Sequence, residues 1–527
     1  MAGSAAVRCV VDEFAGARAN FEGLVGKLTD DKALGMRHDE LESLVANEGR
    51  GLLRQLLDDH LQLRALLEQR QPAVAGSDGV SRNHVRGGTR NLTTLVGDVD
   101  VTRLAYGARG TSSLMPADAQ LNMPVESFSL SVRNRVAWLS SRMSYDDVVE
   151  EMQRAHGLTL GKRQVEELAA RSAEDFDAYY AVRDQLALGD PPASPSTPPF
   201  LVLSTDAKGV VVLPADLRPE TKKRAATSTR KLTTRLSKGE KKDRKRMAQV
   251  AAVYDVEPWV RRVDDILLLT RKVPDERLPA PPRATNKRVW ASIEKDAVPV
   301  IVDAFKEGVR RDPTKERPWA VLVDGNASQL DTVKRCAKQF SVSVVIILDL
   351  IHVLEYLWKA VFSFHREGTR EAEDWVLTRL RAILEGKAVD VAAGMRSSAT
   401  KRKLKGKKRE AVDTCADYLL NHKEYLHYDE YLARGLPIAT GVIEGACRHL
   451  VKDRMDITGA RWSVTGAEAV LRLRSLVASK DFDEYWAFHV EQEFKRNHVA
   501  NYAEPPKTVV LRPAKYRRGG SHLKLVK

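Results

Sequence analysis

Three apolar runs of β character each meet an aspartate: Phe200-Leu-Val-Leu-Ser-Thr leads into Asp206, Trp319-Ala-Val-Leu-Val into Asp324, and Val342-Ser-Val-Val-Ile-Ile-Leu into Asp349. Around them the pattern predicts strands at 200–205, 210–213 and 247–254, a helix at 286–307, a strand at 319–323, a helix at 327–339, a strand at 342–348 and a helix at 351–364. Three consecutive strands followed by alternating helix and strand predict an α/β domain in which antiparallel strands lie beside parallel ones.

That order is the one expected of a ribonuclease-H-like mixed sheet, in which the carboxyl ends of the parallel strands share a cleft. Within 527 residues several domains are expected. Residues 1–126 read as a helical region, with a hairpin of helices over 28–70 and a small β element of two short strands turning at Gly97-Asp98. Residues 127–188 read as helices: one over 129–140, a second over 145–156 capped by Ser144, a break at Gly157, and a third opened by Lys162 and Arg163. Two short helices about a glycine turn are the pattern of a helix-turn-helix whose second helix enters the major groove; an ordinary three-helix bundle fits equally well. The proline-rich stretch 189–199 reads as a linker. The sheet domain then occupies 200–365 and 436–480, with 366–435 as a helical insertion, and 481–527 forms a C-terminal helix and basic tail.

The net charge of +14 and pI near 9.4 point to a polyanionic partner, nucleic acid before a membrane surface. No apolar stretch is long enough to span a bilayer. The four cysteines, Cys9, Cys336, Cys415 and Cys447, are isolated, which fits a reducing cytosol and neither a zinc site nor a disulfide framework.

Carboxylates held at strand ends suit hard divalent cations in oxygen cages beside phosphate. Asp206 and Asp324 are the first candidates, although each alone is also an ordinary turn or cap residue. Glu444, between Gly441 and Gly445 in the first turns of a helix, is the third; Arg448 and Lys452 follow at i+4 and i+8 and place cations on the same face. Asp349 and His352 sit three apart on one helical face. They make half a metal site, a cap with a hydrogen-bonding partner, or groups that orient the other carboxylates, and Asp349 competes with Asp324 as second metal ligand.

Phosphate contact is expected from the cationic run Lys222, Lys223, Arg224, Arg230, Lys231, Lys241, Lys242, Arg244, Lys245 and Arg246, which lies between two predicted strands. Trp462 has two readings, a core residue or a platform for an unpaired base.

The strings Ser204-Thr-Asp-Ala-Lys-Gly, Val323-Asp-Gly-Asn, Asp349-Leu-Ile-His-Val-Leu-Glu-Tyr-Leu-Trp, Thr440-Gly-Val-Ile-Glu-Gly-Ala-Cys-Arg-His-Leu-Val-Lys-Asp-Arg and Thr458-Gly-Ala-Arg-Trp-Ser together resemble bacterial insertion-sequence transposases of the ISKra type. The resemblance covers most of the chain from about Ser127 to His489. It implies a DDE transposase related to Mutator- and hAT-like enzymes, with a ribonuclease-H-like core and two Mg²⁺ or Mn²⁺ ions. Such an enzyme cuts double-stranded DNA at element ends and joins it to a target. Carried over, Asp206, Asp324 and Glu444 are the metal-binding triad, and Asp349 and His352 match an auxiliary Asp-x-x-His. It further implies a dimer or larger assembly acting in a bacterial cytoplasm on the nucleoid. A cysteine pair that relatives carry ahead of the helix-turn-helix is missing from Ala105-Tyr-Gly-Ala-Arg-Gly-Thr-Ser-Ser-Leu-Met-Pro.

Overall fold

The computed structural model describes residues 12–186, 199–227, 244–270, 281–439, 441–457 and 459–504. The expected linker 189–199 lies outside these, apart from Pro199, as do most of the C-terminal tail and the middle of the cationic run. The chain forms two compact units, residues 1–175 with 483–527, and residues 176–482.

The first unit holds two long helices, Ala15–Thr29 and His38–Leu67, and short strands β1 (Val74–Ala75) and β2 (Ser81–Arg82). A long antiparallel hairpin follows, β3 (His84–Thr94) with β4 (Gly97–Gly107). The expected turn at Gly97-Asp98 is displaced to Leu95-Val96. Gly97, at φ +121°, pairs with Thr94 as the last rung, and Thr94 Oγ1 donates to its carbonyl at 2.7 Å. Leu61, Leu92, Val99 and Val101 close a small core between helix and hairpin. Helices Leu130–Ser140, Tyr145–His156 and Lys162–Ser172 come next. Ser129 and Ser144 cap the first two through their hydroxyls, and Gly157, left-handed at φ +68°, ends the second. Helix Phe176–Leu186, expected to belong with these three, falls in the second unit.

The second unit is built on a mixed five-stranded sheet: β5 (Phe200–Val211), β6 (Lys245–Val256), β7 (Thr285–Ser292), β8 (Trp319–Val323) and β9 (Val344–Leu348). Their spatial order is β7-β6-β5-β8-β9; β6 runs antiparallel to both β7 and β5, while β5, β8 and β9 run parallel. Every residue of β8 and the first five of β5 are buried, as strands covered on both faces require.

Two expectations about this sheet are corrected. The separate strands at 200–205 and 210–213 are one continuous twelve-residue strand, because β6 pairs with β5 throughout, Asp206 facing Val250 and Gly209 facing Met247. Asp206 therefore leaves the β5–β8 pairing but does not end its strand. The helix expected at 286–307 is instead β7 followed by helix Ala297–Arg311. Val289, Trp290, Ala291 and Ser292 are all buried in β7, and helix Val464–Ser479 lies along its outer edge. Ser479 and Ser475 hydroxyls accept from Val289 N and Ala291 N at 3.0 and 3.2 Å, and Glu468 accepts from Ile293 N at 2.8 Å. These side chains satisfy an edge that would otherwise be open to another strand.

Helix Ala297–Arg311 crosses Trp319 at Gly308, where an added Cβ would stand 2.4 Å from the indole. Gly308→Ala is therefore expected to lower stability by about 1–3 kcal/mol through overpacking, although alanine is the better helix former. A melting temperature equal to or above wild type would contradict that packing.

Residues 366–435 are helical, as expected, in helices Arg370–Leu384, Ala388–Lys401, Gly406–Asn421 and Tyr428–Ala433. Tyr428 ties this insertion to the sheet by donating to the Leu348 carbonyl at 2.7 Å. Among the described residues no helix is long and apolar enough to cross a membrane.

Candidate metal centre at the strand ends

The parallel register sets three aspartates side by side. Ser204 pairs with Leu322 and Val323 with Leu348, so continuing each strand aligns Asp206, Asp324 and Asp349 on neighbouring strands, about 4.8 Å apart per step. Asp349 is 2% exposed and caps helix Leu350–Val361, its Oδ1 accepting from Ile351 N at 2.9 Å. Asp324 forms a local turn, Oδ1 accepting from Asn326 N at 2.8 Å.

Glu444 arrives from far along the chain. Leu350 N donates to the Ile438 carbonyl at 3.0 Å, which pins the segment before helix Gly441–Ala446 against the start of the Asp349-capped helix. Asp349, His352 and Glu444 each then offer one ligand atom within 4.8 Å of the others. Among the described residues this is the cluster that forms; Asp206 and Asp324 are not members of it. Asp206 approaches from the other side, where the Cys447 thiol, one turn beyond Glu444, donates to Asp206 Oδ2 at 3.2 Å. Burial, then Asp206, push that thiol well above its usual range, so it is a neutral donor.

The electrostatics of the cluster are strained. Both oxygens of Glu444 are shielded from solvent and neither accepts a hydrogen bond from a described residue; His352 Nδ1 is in the same state. Burial, then the Asp349 carboxylate beside it, push Glu444 up to about 7. His352 Nδ1 stands 3.9 Å from Asp349 Oδ2, and this proximity outweighs burial and pushes the imidazole up to about 9. Two carboxylates, one of them with both oxygens unpartnered, and an imidazole make a set that a divalent cation fits: the oxygens suit Mg²⁺, and the nitrogen, once deprotonated, is better matched by Mn²⁺.

Both shifts act in one direction on the metal-free protein. Glu444, raised above its unfolded value, costs stability progressively as pH climbs from about 4.5 to about 7; His352 contributes stability below about 6.5 that is lost as pH climbs through about 9. In chelator at about pH 8, Glu444→Gln is expected to melt above wild type, with the two converging near pH 4.5. Mn²⁺ should then raise the melting temperature of wild type and not of the variant. A variant that melts below wild type at both pH values would remove the carboxylate repulsion.

Several contributors were not legible in sequence. Tyr418 donates to the Asp324 carbonyl at 2.8 Å and stacks on Tyr356 with centroids 3.9 Å apart. His422 Nε2 lies 2.8 Å from the Gly325 carbonyl. Tyr418 lies in the insertion helix Gly406–Asn421 and His422 is its C-cap, at i and i+4, a spacing that by itself signals nothing about a partner far away in sequence.

The helix carrying Glu444 also departs from expectation. Its α-turns pass into a π segment, Cys447–Lys452, before Asp453–Met455. The widened turn rotates later residues, so the expected stripe of Glu444, Arg448 and Lys452 is broken by a shift in phase. Arg448 and Lys452 are exposed and Met455 is buried.

Trp462 is a core residue: 7% exposed, it donates from Nε1 to the Met455 carbonyl at 3.1 Å and carries the Arg454 guanidinium 4.9 Å from its ring centroid. The base-stacking role considered for it is withdrawn. Of the cationic run, Lys222, Lys223 and Arg224 are exposed on helix Pro219–Thr227, whereas Arg230, Lys231, Lys241 and Lys242 lie outside the described residues. Arg244 precedes β6 and Lys245 opens it, exposed; Arg246 donates to the Ile293 carbonyl at 2.9 Å. Lys162 pairs with Asp146 at 2.6 Å and Arg163 with Glu167 at 2.9 Å, both at the surface. Exposed pairs of this kind contribute at most about 1 kcal/mol, which leaves those cations available to an anion.

The chain matches no model of a known protein family and no curated protein.

Proposed function

We propose that the chain is a DNA transposase of the DDE class, whose five-stranded sheet is a ribonuclease-H-like core and whose helices Tyr145–His156 and Lys162–Ser172 form a helix-turn-helix. The single observation that carries this reading is the delivery of Glu444 from a remote helix against Asp349 at a strand end, with both Glu444 oxygens lacking a partner. The strand order, antiparallel on one side of β5 and parallel on the other, supports the fold.

Asp349 and Glu444 would hold the cation on one side, with His352 beside them and Asp206 across Cys447 on the other. Bound there, divalent ions would polarise a phosphodiester and activate water or a 3′-hydroxyl for in-line displacement. The chain's own groups have further tasks. Asp349, locked as a helix cap, cannot swing away, so it presents its second oxygen in a fixed direction. The raised Glu444 carboxyl is partly protonated near neutral pH in the metal-free protein, and it would release that proton on taking up a cation. His352 is cationic at neutral pH in the metal-free protein, and it would have to give up that proton to lend its nitrogen to a cation. Exposed Lys222, Lys223 and Arg224 supply backbone contacts.

The test is incubation of the protein with DNA carrying the flanks of its own coding region. Strand nicks and joined products should form with Mg²⁺ or Mn²⁺ and vanish in chelator or with Asp206→Asn. Nicks without joined products would favour a ribonuclease-H-like nuclease; no metal-dependent cleavage, with binding intact, would leave a DNA-binding protein without catalysis.

A further inference from the structure

At the opposite end of the sheet from the carboxylates lies a basin of about 850 Å³. Its level is set by register: Thr285 of β7 pairs with Asp255 of β6, which pairs with Leu201 of β5. The five steps along β5 from Leu201 to Asp206 separate it from the level of the strand-end carboxylates by roughly 17 Å. This volume is within the range of about 300–1,000 Å³ typical of sites that take a whole ligand.

The basin is organised around one buried carboxylate with an excess of cations. Glu307, fully buried on helix Ala297–Arg311, accepts from Arg183 at 3.0 Å, Arg288 at 2.7 Å, Arg310 at 2.6 and 3.1 Å, and Arg311 at 2.7 Å. Burial pushes Glu307 up, but these guanidiniums override it and hold it well below the usual carboxylate range. A structural ion pair needs one arginine, or two. Arg317 adds a fifth guanidinium, pairing with Asp255 at 2.7 Å, and Asp481 accepts from Arg183 at 3.1 Å. Among the described residues five guanidiniums face three carboxylates, and the exposed ammonium groups of Lys287 and Lys480 stand at the rim. Like charges concentrated in this way repel one another unless an anion is shared among them.

We propose that this basin binds the phosphate backbone of nucleic acid, at a place distinct from the one where strands are cut. The inference rests on reading the chain as a DNA-processing enzyme, and it adds a second contact that lets the protein hold polynucleotide away from the metal centre. The chemistry recognised is a row of phosphates: guanidinium forks match phosphate oxygens in pairs, and rim lysines act as point charges.

The test uses the full chain in chelator, with fluorescence anisotropy of a labelled duplex of about 30 base pairs between about 50 and 200 mM salt. The variant is Lys287→Gln with Lys480→Asn, since asparagine tolerates the left-handed backbone at position 480, where φ is +65°. Wild type should bind with a steep salt dependence. The variant should bind about tenfold more weakly at 100 mM, with a slope smaller by about 2, one phosphate for each lysine. Arg310→Gln, with the rim intact, should weaken binding in the same sense, and thermal melting checks that each variant is folded. A folded double variant with unchanged affinity and slope overturns the proposal. If tripolyphosphate stabilises wild type and not the variant while the DNA slope is unchanged, the ligand is a free phosphate compound and the assignment to nucleic acid fails. Because no divalent metal is present, failure of the cleavage chemistry leaves this measurement untouched, so the two readings fail separately.

Discussion

Asp349→Asn is expected to reduce metal-dependent DNA cleavage by on the order of 10³-fold or more while leaving the fold and DNA binding intact. The substitution is chosen because Asp349 has two tasks that can be separated. As a helix cap it is replaceable: its Oδ1 accepts from Ile351 N, and an asparagine oxygen caps about as well. As a charge beside Glu444 and His352 it is not, because an amide neither balances a divalent cation nor holds the imidazole protonated. Removing it should also relieve Glu444, lowering the raised pKa of that carboxyl, since Asp349 is the second cause of the shift after burial. A cleaving Asp349→Asn enzyme would reduce Asp349 to a cap and return the second metal position to Asp324. Melting temperature and anisotropy on the same preparation separate lost chemistry from lost structure.

The second large effect concerns stability. Glu307→Ala should destabilise the protein by about 3–5 kcal/mol, because it removes the buried carboxylate that Arg183, Arg288, Arg310 and Arg311 share, leaving Arg183 with Asp481 and Arg311 with the more distant Asp255. The buried carboxylate is the element that allows these guanidiniums to lie together; the reverse change, trimming one of the four, leaves the other three still compensated and should cost far less. With its pKa held low, Glu307 stabilises the fold above about pH 4, and that contribution is lost as pH falls through its depressed folded value. Chemical denaturation of Glu307→Ala and Arg310→Gln, at about pH 7, gives the comparison directly. Equal losses in the two would mean that the cluster is a set of independent ion pairs.

What could be read from the sequence follows the range of the signals. The apolar runs of β5, β8 and β9 and the aspartates that follow them are local features, and so are Ser144 and Gly157 at the two ends of one helix. Val289 and Trp290 of β7, with Ile293 just after it, fall at spacings compatible with a helix, which is what their periodicity predicts. Its strand character comes from pairing with β6 and from Ser475 and Ser479, residues distant in sequence. The same reason hid the partners of the site. Glu444 and Asp349 were each singled out, but their meeting depends on the contact between Leu350 and Ile438, and Tyr418 and His422 enter through an insertion whose own pattern says only that it is helical. The π segment after Glu444 rests on no residue pattern that sequence periodicity could register.

Asp349 and Glu444 are placed to share one divalent cation. Diffraction at the manganese edge from crystals grown with Mn²⁺ tests it most directly. An anomalous peak is expected about 2.0–2.3 Å from an oxygen of each of these two carboxylates, absent from crystals of Glu444→Gln. A fully loaded crystal with its peaks elsewhere, and Glu444 still turned away from any ion, would contradict it.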